Sequence, residues 1–111
     1  MWVMVSGPYS SGASTSQERA EHLRVLNRAA LEVLRRGHVP VIGVNMALPM
    51  IWTGEDAAYD RIMMPLSLAL AERCDACLRV GGPSRGADEE VEFFRSRGKP
   101  IYFAAGEIPG P

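Results

Sequence analysis

The stretch from Trp2 to Val44 reads as strand, capped helix, strand, and that order has essentially one way to fold. Trp2 to Ser6 is a short β-leaning run that stops at Gly7-Pro8, which suits a buried first strand. A loop of small polar residues follows, Tyr9-Ser10-Ser11-Gly12-Ala13-Ser14. Thr15 and Glu18 then have capping-box spacing. Leu23, Leu26, Ala30, Leu31 and Leu34 recur at helical intervals and predict one buried stripe. Arg35-Arg36 and then Gly37 form a stop signal, and Val39 to Val44 reads as the second strand. The crossover between two such parallel strands is right-handed in nearly all proteins.

Beyond this unit, Asn45 to Trp52 reads as a loop, and Thr53 with Asp56 has the residues to cap a further helix. That helix is apolar almost all round, through Ile62, Met63, Met64, Leu66, Leu68 and Leu70. Pro65 is expected to kink or split it, because proline has no N–H to give. Ala76 to Val80 reads as a third strand, Gly81-Gly82-Pro83-Ser84 as a turn, Gly86 to Arg97 as a helix and Pro100 to Phe103 as a last strand. The fold class that follows is α/β: a small, doubly wound, mainly parallel sheet of four to five strands with helices on both faces, flavodoxin- or Rossmann-like. A single domain over residues 1–105 and a flexible tail over 106–111 are expected. Such sheets bind ligands at the carboxyl ends of their strands, which singles out the loops Gly7 to Ser14 and Gly81 to Gly86.

Composition narrows the function. The chain has 111 residues, so one core suffices. Twelve basic residues against 13 acidic ones give a formal net charge of −1, unlike a protein that coats nucleic acid. Two cysteines make no disulfide framework. No apolar run approaches the ~20 residues of a membrane span, and the opening run is too short for a signal-peptide core, so a cytoplasmic location is expected.

The two loops carry the chemistry. In the first, glycine lets the backbone approach a ligand and serines donate hydroxyls, although neither a P-loop nor a dinucleotide fingerprint is present. An ordinary strand–helix turn is the competing reading. In the second, Ser84-Arg85-Gly86-Ala87-Asp88-Glu89-Glu90 opens a helix with acids. Helix-dipole stabilisation accounts for acids there without any function. At about 100° per residue, however, Ala87, Val91 and Phe94 share a face, Glu90 lies on its flank beside the aromatics, and Glu89 points to solvent. A carboxylate so placed is partly desolvated and its pKa rises, which suits a nucleophile or acid/base at a glycosidic bond.

These motifs together resemble the nucleoside 2-deoxyribosyltransferase-like superfamily, particularly its short branch with a Gly-Pro-Tyr opening. The resemblance rests on Gly7-Pro8-Tyr9-Ser10 after the first strand, Cys74-Asp75-Ala76 entering the third, Ser84-x-Gly86-x-x-x-Glu90 and Gly98-Lys99-Pro100. It implies a catalytic glutamate, Glu90, that attacks the anomeric carbon of a nucleoside. It also implies substrate contacts from Gly7, Pro8, Tyr9, Ser10, Ser11, Ser84 and Gly86, with Ser84 at a 5′-phosphate. No metal or organic cofactor, a nucleoside or nucleotide as partner, and a homodimer or higher homo-oligomer with Ile62 to Leu70 at its interface are expected. Nucleic acid polymers and membranes are not expected partners. Two positions depart from the family pattern. Ser67 stands where an aspartate is usual, with Asp60 a poor substitute, and Met4 stands where a tyrosine in the first strand holds the glutamate.

The expected function is therefore an N-glycosidase that cleaves the base–sugar bond of a nucleoside or nucleoside 5′-monophosphate. The alternatives are a non-catalytic nucleotide-binding or sensing module, or an NAD or nucleotide-sugar glycohydrolase. Cys74-x-x-Cys77 has redox spacing but sits at a strand entrance, not at a helix N-terminus, and a zinc site would need His22 and His38 to converge on it. Asp75 reads as a turn residue. Trp52 and Tyr59 can stack a base, but core packing or an interface is their favoured reading.

Overall fold

The computed structural model describes residues 1–54 and 58–111. Four parallel strands, β1 (Trp2–Ser6), β2 (Val39–Val41), β3 (Ala76–Arg79) and β4 (Ile101–Tyr102), form one sheet in the order β2-β1-β3-β4. Helices α1 (Ser16–Arg35), α2 (Gly43–Ile51), α3 (Tyr59–Arg73) and α4 (Arg85–Ser96) complete a small doubly wound α/β fold. Among the described residues, no helix is long and apolar enough to cross a membrane.

The period-two alternation of the strands divides the core. Val3 and Val5 of β1, with Ala76 and Leu78 of β3, face α1 and meet Leu26, Ala30 and Val33. Met4 and Cys77 face the other way, onto Ala71, Cys74, Val91 and Phe94 beneath α3 and α4. A third cluster, Ala47, Leu48 and Met63, joins α2 to α3.

The α1 cap forms as its spacing predicts. Thr15 Oγ1 accepts from the Glu18 amide at 3.1 Å, while the Thr15 and Ser14 hydroxyls donate to the Glu18 carboxylate. The buried stripe differs from the expected one. Leu26, Ala30 and Val33 point inward, and Leu31 and Leu34 are exposed, Leu34 by 57%. One position along a helix turns a side chain by about 100°, so exchanging Leu34 for Val33 moves the stripe to a neighbouring face.

The second strand ends at Val41, and the segment expected as a loop is α2. Its inward residues Gly43, Ala47 and Leu48 pack on α3, and Pro49 lies on its exposed side. Packing against Met63 thus overrides the loop-like composition of this segment. Thr53 Oγ1 donates to the Met50 carbonyl at 2.8 Å and so closes the end of α2. Ala58 precedes α3 without a side-chain cap, and Asp56 lies outside the described residues. Pro65 does not split α3, which runs unbroken from Tyr59 to Arg73. Pro65 and Arg61 are both exposed, so water can reach the Arg61 carbonyl that proline leaves without its usual donor.

Asp75 closes the entrance to the sheet: the Trp2 amide donates to its carboxylate and its own amide donates to the Trp2 carbonyl, both at 2.8 Å. The residues after β4, read from sequence as a flexible tail from 106, lie against the domain. Ile108 is buried in the α1-side core, and the His38 Nε2–H donates to the Pro109 carbonyl at 2.8 Å. The other nitrogen of His38 lies 2.8 Å from the Met1 amino group.

Candidate functional site

The strand order reverses direction between β1 and β3, so their carboxyl ends open a crevice at the usual ligand position of this fold. A cleft of about 430 Å³ occupies it. Glycine is required at position 7, where the chain leaves β1. A Cβ there would lie 2.6 Å from the Val80 carbonyl oxygen and 2.9 Å from a Leu26 methyl.

Glu90 lines this cleft and is only 9% exposed, sharing the inward stripe of α4 with Ala87, Val91 and Phe94. Burial pushes its carboxyl up to about 7. Hydrogen bonds with the Ser6 and Ser67 side chains, and the positive charge of Arg79, pull the other way, whereas neighbouring Glu89 adds to the rise. Ser6 and Ser67 are 1% and 2% exposed, so the hydroxyl pair is as dry as the core. Three elements distant in sequence, β1, α3 and α4, thus meet on one carboxylate. Behind it, the Cys77 thiol donates to Ser6 Oγ at 3.5 Å, leaving the Ser6 proton for Glu90.

Ser84 caps α4, its Oγ accepting from the Ala87 amide at 3.1 Å, and lines the same cleft. Arg79 steadies the second loop. Its guanidinium donates to the carbonyls of Val80 and Gly82 and lies 3.4 Å from the Asp88 carboxylate. In the first loop, Ser10 Oγ and Tyr59 Oη are 3.2 Å apart, tying the loop to α3. The Tyr9 carbonyl accepts from His22 Nδ1 at 2.8 Å.

Of the residues singled out from sequence, Gly7, Tyr9, Ser10, Ser11, Ser84, Gly86 and Glu90 line the one cleft. Pro8 does not. It is buried under the second loop, where a Cβ on Gly81 would come within 2.8 Å of its ring, and it borders a neighbouring depression. Sequence reasoning missed Ser6 and Arg79, and treated Ser67 only as a departure from a pattern. Ser67 instead bonds the buried glutamate, and Ser6, next inward after Met4 on β1, holds it from the strand. The inward alternation of β1 was the signal that would have found Ser6. Tyr59 and Asp60 also line the cleft, and Trp52, 69% exposed, lines an adjoining depression, so neither aromatic is buried in the core.

The cysteines are buried, and burial raises both thiols to about 11, which leaves them unreactive as a redox pair. Both nitrogens of His38 are engaged elsewhere, His22 is engaged through Nδ1, and no group of three or more His, Cys, Asp or Glu among the described residues is placed to hold a metal. Comparison with protein-family models and with curated proteins finds no match to this chain.

Proposed function

We propose that this chain is an N-glycosidase that cleaves the base–sugar bond of a nucleoside or nucleoside 5′-monophosphate, with Glu90 as nucleophile. One observation carries the reading: the one carboxylate buried among the described residues, held by two buried hydroxyls, lies in the cleft at the strand-order reversal. The resemblance of Gly7-Pro8-Tyr9-Ser10 and Ser84-x-Gly86-x-x-x-Glu90 to the nucleoside 2-deoxyribosyltransferase-like superfamily points the same way.

In this mechanism a Glu90 oxygen bonds to the anomeric carbon as the carbon–nitrogen bond breaks, its electron pair leaving with the base. The base takes a proton from solvent at the cleft mouth. Water then attacks the same carbon, releases the sugar and regenerates the carboxylate, its surplus proton returning to solvent. The Ser6 and Ser67 hydroxyls fix the carboxylate for attack. The ionised form is the nucleophile, so the rate of base release rises with pH through about 7, where Glu90 loses its proton.

The test is chromatographic. Purified protein and its Glu90→Ala variant meet ribo- and deoxyribonucleosides, their 5′-monophosphates and NAD. Base released by the wild type alone supports the assignment, and equal turnover by the variant refutes it. Ser67 in place of an acidic helper favours the second reading, a nucleotide-binding module. That reading predicts a ligand-dependent rise in melting temperature without base release from any compound. Free nicotinamide would identify an NAD glycohydrolase.

A further inference from the structure

A second cavity, of about 570 Å³, lies between the two glycine-bearing loops, and its charge is opposite to that of the Glu90 cleft. Among the described residues the cleft is lined by three carboxylates, Asp60, Glu89 and Glu90, against one cation, Arg85. The second cavity has His22 and Arg85, and no carboxylate among the described residues. The two spaces adjoin, because Ser11, Ser84 and Arg85 line both. Gly12 and Gly82 border the second cavity with nothing within 4 Å of where a Cβ would sit, so backbone is presented to open space. Such backbone can approach an anion closely.

His22 is suited to the far end of this space. A carbonyl only accepts, so the 2.8 Å contact with Tyr9 O requires the hydrogen on Nδ1. That bond orients the ring and leaves Nε2 for a ligand; no bond to Nε2 is seen among the described residues. Nε2 has a hydrogen to give once the ring takes up a proton, which an anionic phosphoryl group beside it favours, and the Arg85 guanidinium supplies a second charge-assisted donor of the kind that holds phosphoryl oxygens.

We infer that this cavity takes the phosphoryl chain of a nucleoside 5′-diphosphate, with the first phosphoryl group at Ser84 and the second between Arg85 and His22. The inference rests on the proposed reading of the Glu90 cleft as the nucleoside site. A single phosphoryl group held at the shared boundary would leave most of the second cavity empty, whereas a second one enters it and meets Arg85 and His22. Binding then rises with phosphoryl number, and the ligand points its base away from His22.

The experiment measures calorimetric binding of adenosine and cytidine, and of their 5′-mono- and diphosphates, to the Glu90→Gln protein, which holds ligand without consuming it. Inorganic phosphate and pyrophosphate serve as base-free probes on the wild type. The expected result is at least tenfold tighter binding of diphosphate than monophosphate, and of pyrophosphate than phosphate. Arg85→Gln and His22→Gln are each expected to erase most of that gain, leaving diphosphate bound no more than threefold tighter than monophosphate. Arg85 is exposed, so its variant keeps the test decisive even if His22→Gln disturbs the loop at Tyr9. Equal affinity for mono- and diphosphate, tighter monophosphate binding, no binding at all, or a gain retained in the Arg85 variant overturns the inference. Base release from monophosphates alone would overturn it while leaving the glycosidase reading intact. Diphosphate binding without base release would do the reverse.

Discussion

Gly43, the first residue of α2, lies so close to Ser67 on α3 that any side chain at position 43 would collide with the Ser67 hydroxyl. That hydroxyl is one of the two bonded to Glu90, so a backbone position on α2 controls the geometry of a carboxylate on α4.

Gly43→Ala is therefore expected to destabilise the fold by about 1–3 kcal/mol, as overpacked cores do, and to lower base release more than tenfold by displacing Ser67. Adding Ser67→Ala relieves the collision. The double variant should recover most of the lost melting temperature but none of the lost turnover, a coupling that a thermal scan and a base-release assay read separately.

Glu90 should make the protein less stable as pH rises. Its carboxyl titrates near 7 in the folded state against an ordinary value of 4.5, so between these values the native state holds a proton that the unfolded chain has released. Stability is lost through that window and the loss is complete above it, on the order of 3 kcal/mol. Glu90→Gln, which cannot ionise, should melt higher than the wild type at pH 8 and show a flatter dependence from pH 5 to 8. Parallel melting curves for the two proteins would show that the carboxylate is not desolvated.

The α1 stripe separates leucines that look equivalent in sequence. Leu26→Ala should cost about 2–5 kcal/mol, because Leu26 is buried against Val3 and Val5. Leu34→Ala should change stability by no more than about 0.5 kcal/mol, because Leu34 is exposed. Urea unfolding of both variants checks the order.

His38 holds the C-terminal residues through Pro109, beside the buried Ile108. His38→Ala leaves that carbonyl without its donor and should cost about 1–3 kcal/mol. Hydrogen exchange should show protection lost first at Ile108 and the preceding turn, Ala105–Glu107, with β1 and β3 unaffected.

Local chemistry was enough to establish much of this molecule from its sequence. The Thr15 cap, the Gly37 stop and the strand–helix–strand order depend on residues a few positions apart, and they determine a parallel sheet whose carboxyl end opens the cleft at Gly7 and Ser84. Helical periodicity likewise put Glu90 with the buried face of α4 and Glu89 outside it. Only the tertiary structure decided the rest. α2 forms because its apolar side meets α3, although Asn45 and Pro49 make the segment look like a loop. Val33 replaces Leu31 and Leu34 in the stripe because the sheet and Ile108 present their surface at that angle. Ser6 and Ser67 stand 84 and 23 positions before Glu90, at no period a sequence can display; they reach it through the β1 alternation and the α3–α4 packing. Hydroxyls on different elements leave no pattern along the chain, so their convergence on one carboxylate is a property of the packed fold.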